Sequence, residues 1–100
     1  MRKDAYGNAV PAIENARELA LDALLFILQD EQRSAQFLNT SGMSATDLRA
    51  HAREDATLAA VIEYLLGNES MLLIFSAHSG HPPETVGPAL MAFERRGGRS

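Results

Sequence analysis

The residues of this chain that are best suited to chemistry are its histidines, two of which lie close together. His78 and His81 are three residues apart and Glu84 follows three residues later, so zinc binding is the first chemistry that the spacing suggests. The chain has no cysteine, however, and no established metal-binding pattern surrounds the pair. We therefore predict no metal and no cofactor, and we interpret His78 as a residue near a helix C-terminus, where it interacts favourably with the helix dipole.

Other catalytic signatures are missing from the sequence. No nucleophile-elbow pattern surrounds a serine, and Gly97-Gly98 is too isolated to cradle a phosphate. A Ser-His-Asp site forms only in space and has no sequence pattern of its own. These observations argue against an enzyme, and a hydrolase-like or metal site built on His78 and His81 ranks third among the functional hypotheses.

Charged side chains at helical spacing suggest a surface for another molecule. Three carboxylates recur at every fourth residue, and two arginines follow the first glycine corner. With one methionine they form the candidate interaction surface, which consists of Glu14, Glu18, Asp22, Arg49, Arg53 and Met71. The alternative for the charges is an ordinary solvated face, and the alternative for the methionine is a gap-filling place in the core.

Nucleic acid is the alternative partner. The segment from Phe75 to Leu90 has the spacing of a helix-turn-helix, but its second helix has no Arg, Lys, Asn or Gln before Arg95 to read base edges. The net charge of −4 also disfavours a phosphate-binding surface. A small DNA-associated regulator therefore ranks second. We expect no membrane partner, because the apolar runs are much shorter than the ~20 residues of a span.

Two glycine corners organise the helices that carry these residues. Gly42 suits the left-handed position just past a helix end, because glycine has no Cβ to clash there. Ser44 and Asp47 then have the spacing of a capping box at the start of the next helix. In the second corner Gly80 repeats the stop. Pro82 and Pro83 suit a first helical turn, and Glu84 adds favourable negative charge there.

Apolar residues at helical spacing predict an all-α fold, a small orthogonal bundle of five to six helices. The fifth helix is apolar on every side from Met71 to Phe75, so we expect it at the centre with the first and fourth helices. Gly87-Pro88 should kink or split the last helix. The predicted bounds are about 12–29, 31–40, 45–52, 56–66 and 69–78, then a turn at 83–86 and a helix at 88–95.

Length and composition indicate one domain. The chain has 100 residues, of which 46% are hydrophobic. We expect a flexible N-terminal arm over 1–10, a helical domain over 11–96 and a mobile tail over 97–100. Without cysteine or a recognisable targeting segment, the expected location is the cytoplasm.

An internal repeat is predicted at an offset of 38 residues, the distance between the two corner glycines. The halves cover about 19–52 and 57–90. The identical pairs are Leu28 and Leu66, Glu31 and Glu69, Phe37 and Phe75, Ser41 and Ser79, and Gly42 and Gly80.

The same motifs carry a family resemblance. The pattern is Phe37-Leu38-x-x-Ser41-Gly42-Met43-x-x-x-Asp47-Leu48-Arg49, followed by Tyr64-Leu65-Leu66 and by Phe75-x4-Gly80-x-Pro82-Pro83-Glu84-x-Val86. It resembles an uncharacterised bacterial domain-of-unknown-function family of short helical proteins, and it covers about 16–92. The resemblance implies the fold and carries no activity.

The first functional hypothesis, protein binding, concerns the apolar side chains that the core does not need. The fifth helix and the second half of the first offer more apolar side chains than two small units need, so either the core hides them or they remain as a surface. We expect a non-enzymatic interaction or scaffold domain, with an unidentified protein partner or self-association.

Overall fold

The computed structural model of the chain describes residues 10–97 and shows an all-helical bundle, as the sequence predicts. The predicted arm, apart from Val10, and the predicted tail, apart from Gly97, lie outside the described residues. The elements are α1 (Ile13–Leu28), α2 (Glu31–Ser41), α3 (Ala45–His51), α4 (Asp55–Leu66), α5 (Glu69–Ser79), a 3-10 turn (Pro83–Thr85) and α6 (Val86–Gly97).

Both corners turn on a left-handed glycine. Gly42 ends α2 with φ 79°, and its N–H donates to the carbonyl oxygen of Leu38. Ser44 and Asp47 form a capping box at α3, in which the Ser44 Oγ accepts from the Asp47 N–H at 3.0 Å. These bonds use backbone groups that a helix terminus leaves unpaired, so they fix the direction in which α3 leaves α2.

The second corner has a different restart. Gly80 ends α5 with φ 86°, and Pro82 is extended with φ −62°. Pro83 and Glu84 then lie in the short 3-10 turn that leads into α6. The predicted separation into a turn and a helix is confirmed, but it lies between Thr85 and Val86 rather than at Gly87-Pro88. Pro88 falls in the first turn of α6, where a missing N–H costs no helical bond.

The core lies between α1, α4 and α6, and the expectation that the fifth helix is central was wrong. Each of these three helices packs extensively against the other two. Of α5, only Phe75 is fully buried. α6 is amphipathic, with Val86, Ala89, Ala92 and Phe93 buried on one face, so it fills the central position with a matching apolar stripe.

An ion pair joins the starts of α1 and α4. Two nitrogens of the Arg17 guanidinium donate hydrogen bonds to the Asp55 carboxylate, Nε to Oδ1 at 2.8 Å and Nη2 to Oδ2 at 3.0 Å. Arg96 of α6 adds a longer contact of 3.5 Å to the same carboxylate. Through Asp55, these contacts therefore connect all three central helices at one end of the bundle.

Positions 38 residues apart have corresponding surroundings. α2 and α5 begin and end at matching positions, and Asp30 and Asn68 both cap their helices with the side chain. The Phe26 ring lies 5.6 Å from that of Phe75, and the matching pair, Tyr64 and Phe37, lies at 5.4 Å. The helix bounds, the caps and these two ring pairs therefore match between the two predicted halves.

Candidate interaction surface

The outer side of α5 carries large apolar side chains that nothing in the described chain covers. Leu73 is 50% exposed and Ile74 is 51% exposed, whereas Phe75, on the side of α5 that faces the core, has no exposure. Helical spacing places Ala77 next to Leu73 and His78 next to Ile74, and both are exposed. We call these four residues the α5 surface.

A cavity connects the α5 surface to α1. Leu25, which is 59% exposed, lines this space of about 300 Å³ with the end of α5. Its other lining residues are Asp22, Phe26, Gln29, His78 and Ser79. The Phe26 ring forms its floor, and it lies 5.5 Å from the His78 ring and 4.0 Å from the Arg33 guanidinium. These contacts fix the position of the ring in a cavity that has Leu25 as its exposed apolar side chain and is otherwise lined by polar groups.

The matching place in the first half gives an internal comparison. A second cavity of about 300 Å³ is lined by Thr40, Ser41, Ala60, Glu63 and Tyr64. All five correspond by the 38-residue offset to residues that line the first cavity, and Glu63 stands at the place of Leu25. The outer positions of α2 are Ala35, Gln36, Asn39 and Thr40, which match the α5 surface one by one. Gln36 accepts a hydrogen bond from the Tyr64 hydroxyl at 3.0 Å, whereas Ile74 at the matching position has no polar group. The same helix position therefore carries a polar side chain on α2, Gln36, and an apolar side chain on α5, Ile74.

A separate apolar groove lies on the other side of α1. It has a volume of about 300 Å³, and Leu28, which is 47% exposed, stands at its edge. The remaining lining comes from α2 and α3, through Ser34, Leu38, Ala45, Leu48, Arg49 and Ala52. Leu48 is buried, so part of this groove belongs to the core.

The acidic stripe predicted on α1 contains two carboxylates that are exposed to solvent and one that contacts another side chain. Glu14 and Glu18 are exposed, and Glu18 lines a cavity between α1 and the start of α6. Asp22 is half-buried, and its Oδ2 lies 2.9 Å from Nε2 of His81. The His81 ring stacks on Phe75 at 5.7 Å, so this pair ties the second corner to α1.

The remaining predicted surface residues do not converge with the stripe. Arg49 and Arg53 are exposed at and after α3, and Arg49 borders the groove beside Leu28. Met71 is half-buried and packs against the core. The six charged and methionine positions therefore lie on different sides of the bundle.

The histidines are each held by a different contact. His51 Nδ1 lies 2.7 Å from Oε2 of Glu54, and the hydrogen bond to this carboxylate raises the pKa of His51. His78 packs on Phe26, and His81 binds Asp22. Within residues 10–97, no group of three or more His, Asp or Glu side chains is placed to hold a metal ion.

No single helix in the described part of the chain is long and apolar enough to cross a bilayer, and only α4 and α5, bent by 109°, pass that test together.

Sequence reasoning missed the residues that distinguish this surface, namely Leu25, Leu73 and Ile74. It predicted surplus apolar surface on α1 and α5 but did not assign it to positions. The signal was available in the repeat, because the aligned halves place Leu25 against Glu63 and Ile74 against Gln36. A polar residue in one copy and an apolar residue in the other indicates which exposed positions differ between the halves.

A search of protein families matched residues 13–96 with the family described as Protein of unknown function (DUF3572). No curated protein and no solved structure matched the chain.

Proposed function

Because the chain belongs to the DUF3572 family, whose description assigns no function, we propose from its own surface that it is a non-enzymatic protein-interaction domain that binds protein through the α5 surface and Leu25. We further propose that the two halves are an internal duplication in which only the second acquired a binding face. The matching helix bounds, caps and ring pairs support this duplication.

One observation carries the proposal, which is that α5 exposes the large apolar side chains Leu73 and Ile74 at positions where α2 has the small Ala35 and the polar Gln36. Leu73 and Ile74 make half of their surface available to water, and no packing in the described chain requires them to be large and apolar. Removal of apolar surface from water is favourable by about 25 cal/mol per Å², and this gain is opposed by the entropy and desolvation costs of association. A rigid apolar face on a small domain is typical of a protein-binding site.

The DNA-associated alternative has no comparable support. α6, which would be the reading helix at the second corner, is the helix that fills the core between α1 and α4. Its Arg96 contacts Asp55, and Val86, Ala89 and Phe93 on its inner face are buried. A helix that is needed to hold the core together leaves little surface to enter a groove.

The test compares proteins bound by the tagged chain and by a surface variant. The double variant Leu73→Gln and Ile74→Gln makes both exposed positions polar, as Gln36 is on α2, and Leu28→Gln is the control because Leu28 is similarly exposed on another side. We expect a stoichiometric protein complex, reconstituted from purified components, that the control keeps and the double variant loses. Equal recovery with all three proteins would contradict the proposal.

A further inference from the structure

The α5 surface has the features of a face that pairs with a copy of itself. Its residues recur at three- and four-residue spacing, and Glu69 and Ser70 extend it by one turn toward the start of α5. All six side chains are exposed. A two-fold contact requires one patch to be complementary to itself, so the two ends of the face must carry complementary groups.

The ends of this face meet that requirement. Glu69 lies in the first turn of α5 and His78 in the last. If two α5 helices run antiparallel with the two-fold axis between Leu73 and Ile74, each Glu69 lies opposite His78 of the second copy, and the imidazole N–H can donate to the carboxylate. A parallel arrangement would instead bring the two Glu69 carboxylates together, and it would align the helix dipoles unfavourably.

The centre of the face also fits this register. Leu73 lies opposite Ile74 of the second copy, which joins the most exposed apolar side chains of α5. Ser70 lies opposite Ala77, and side chains this small let two helices approach to about 8–10 Å. The matching face of α2 has Gln32, Ala35, Gln36 and Asn39 at these places and offers no such apolar seam.

On this basis we propose that the protein bound by the α5 surface is a second copy of this chain, held by antiparallel pairing of the two α5 helices. The proposal rests on the proposed function and identifies its partner. A helix of 11 residues is only about 16 Å long, so the contact is smaller than the roughly 1,200 Å² of a standard interface. The dimer is therefore weak, with dissociation in the micromolar range.

Sedimentation velocity over about 1–500 µM protein measures this association. We expect the chain to shift from monomer to dimer across that range. Leu73→Glu places a carboxylate in the apolar seam and weakens the association at least about tenfold. Leu28→Glu, on the other side of α1, is the control and leaves it unchanged. Circular dichroism of each variant verifies that it is folded.

Disulfide trapping tests the register, because the chain contains no cysteine of its own. In the proposed pairing Ser70 lies opposite Ala77, so an equimolar mixture of Ser70→Cys and Ala77→Cys proteins gives a heterodimer under mild oxidation. Either variant alone does not cross-link, because like positions are seven residues apart along the antiparallel axis, about 10 Å, which exceeds the Cα distance of about 7 Å that a disulfide spans.

The outcomes separate this inference from the proposed function. A dimer that Leu73→Glu disrupts, trapped only in the mixture, supports antiparallel pairing. Trapping of either variant alone, or a monomer throughout the concentration range, overturns it. If the chain stays monomeric but a different protein binds through Leu73 and Ile74, the interaction function stands and only the identity of the partner is wrong. If neither association depends on these residues, both proposals fail.

Discussion

Gly42 and Gly80 are the two described residues whose backbone requires glycine. Their φ angles of 79° and 86° are left-handed, and a side chain at either position would be strained even though space for a Cβ is open. Gly67 also ends a helix, α4, but its φ of −87° is ordinary and a Cβ there would make only normal contacts. Gly67 therefore has a different conformational role from Gly42 and Gly80 at a similar helix end.

The residue-scale prediction compares Ala substitutions at two of these positions. Gly42→Ala should lower the free energy of unfolding by about 1–2 kcal/mol, because alanine pays the left-handed penalty. Gly67→Ala should be neutral or stabilise by up to about 1 kcal/mol, because alanine restricts the unfolded chain. Urea unfolding of both variants measures this difference, and equal destabilisation would contradict it.

Among the helices, the contact between α1 and α4 is fixed at one end by charge. The pKa of Asp55 lies below its ordinary value of 3.8, chiefly because the Arg17 side chain donates hydrogen bonds to the carboxylate, while partial burial acts in the opposite direction. Arg96 adds a weaker attraction from α6. The folded state therefore binds a proton on Asp55 less readily than the unfolded chain does.

The lowered pKa of Asp55 makes the stability of the contact between α1 and α4 dependent on pH. A lowered folded pKa gives stability that is complete above the unfolded value of about 3.8 and is lost as the pH falls through the folded value. Asp55→Asn should thus be less stable than the parent chain at neutral pH, and the gap should close below about pH 4. Urea unfolding across this pH range measures it.

The control for the acid series is Glu63→Gln, which changes an exposed carboxylate of α4 outside the ion pair. Its stability should follow the parent chain at every pH. A gap between the parent chain and Asp55→Asn that stays constant down to about pH 2 would contradict a stabilising role for the ionised carboxylate.

At the scale of the whole molecule, α6 joins the two parts of the chain that the sequence predicts to be similar. The prediction pairs α1 and α2 with α4 and α5, and α6 packs against both α1 and α4. Phe37 and Phe75 are matching residues with no exposure in either half. α6 completes a core that α1 and α4 share, so the bundle should fold as one cooperative unit.

The whole-molecule prediction uses this matched pair. Phe37→Leu and Phe75→Leu should each lower the free energy of unfolding by about 1–3 kcal/mol, because each loses buried ring contacts. Both should keep one unfolding transition that is the same by circular dichroism and by tyrosine fluorescence. Two transitions, or destabilisation confined to one half in hydrogen exchange, would show that the halves fold separately.

Much of the fold could be predicted because its signals are local. The bounds of α2 and α5, and the helix ends at Gly42 and Gly80, depend on contacts between residues at most four apart, which the sequence displays directly. The candidate surface was harder to predict. Charges such as Glu14 and Arg49 can be read as exposed, but the exposure of Leu73 depends on which neighbours pack against α5.

The sequence by itself determined that the chain is helical and where it turns, whereas only the tertiary structure decided which helix is central. From Met71 to Phe75 α5 is apolar on every side and has no preferred face, so its pattern could not say which side would be buried. α6 has one apolar face that fits between α1 and α4, and its packing there leaves Leu73 and Ile74 in contact with water. The burial of each helix depends on the apolar faces of all the others, and a local sequence pattern does not contain that information.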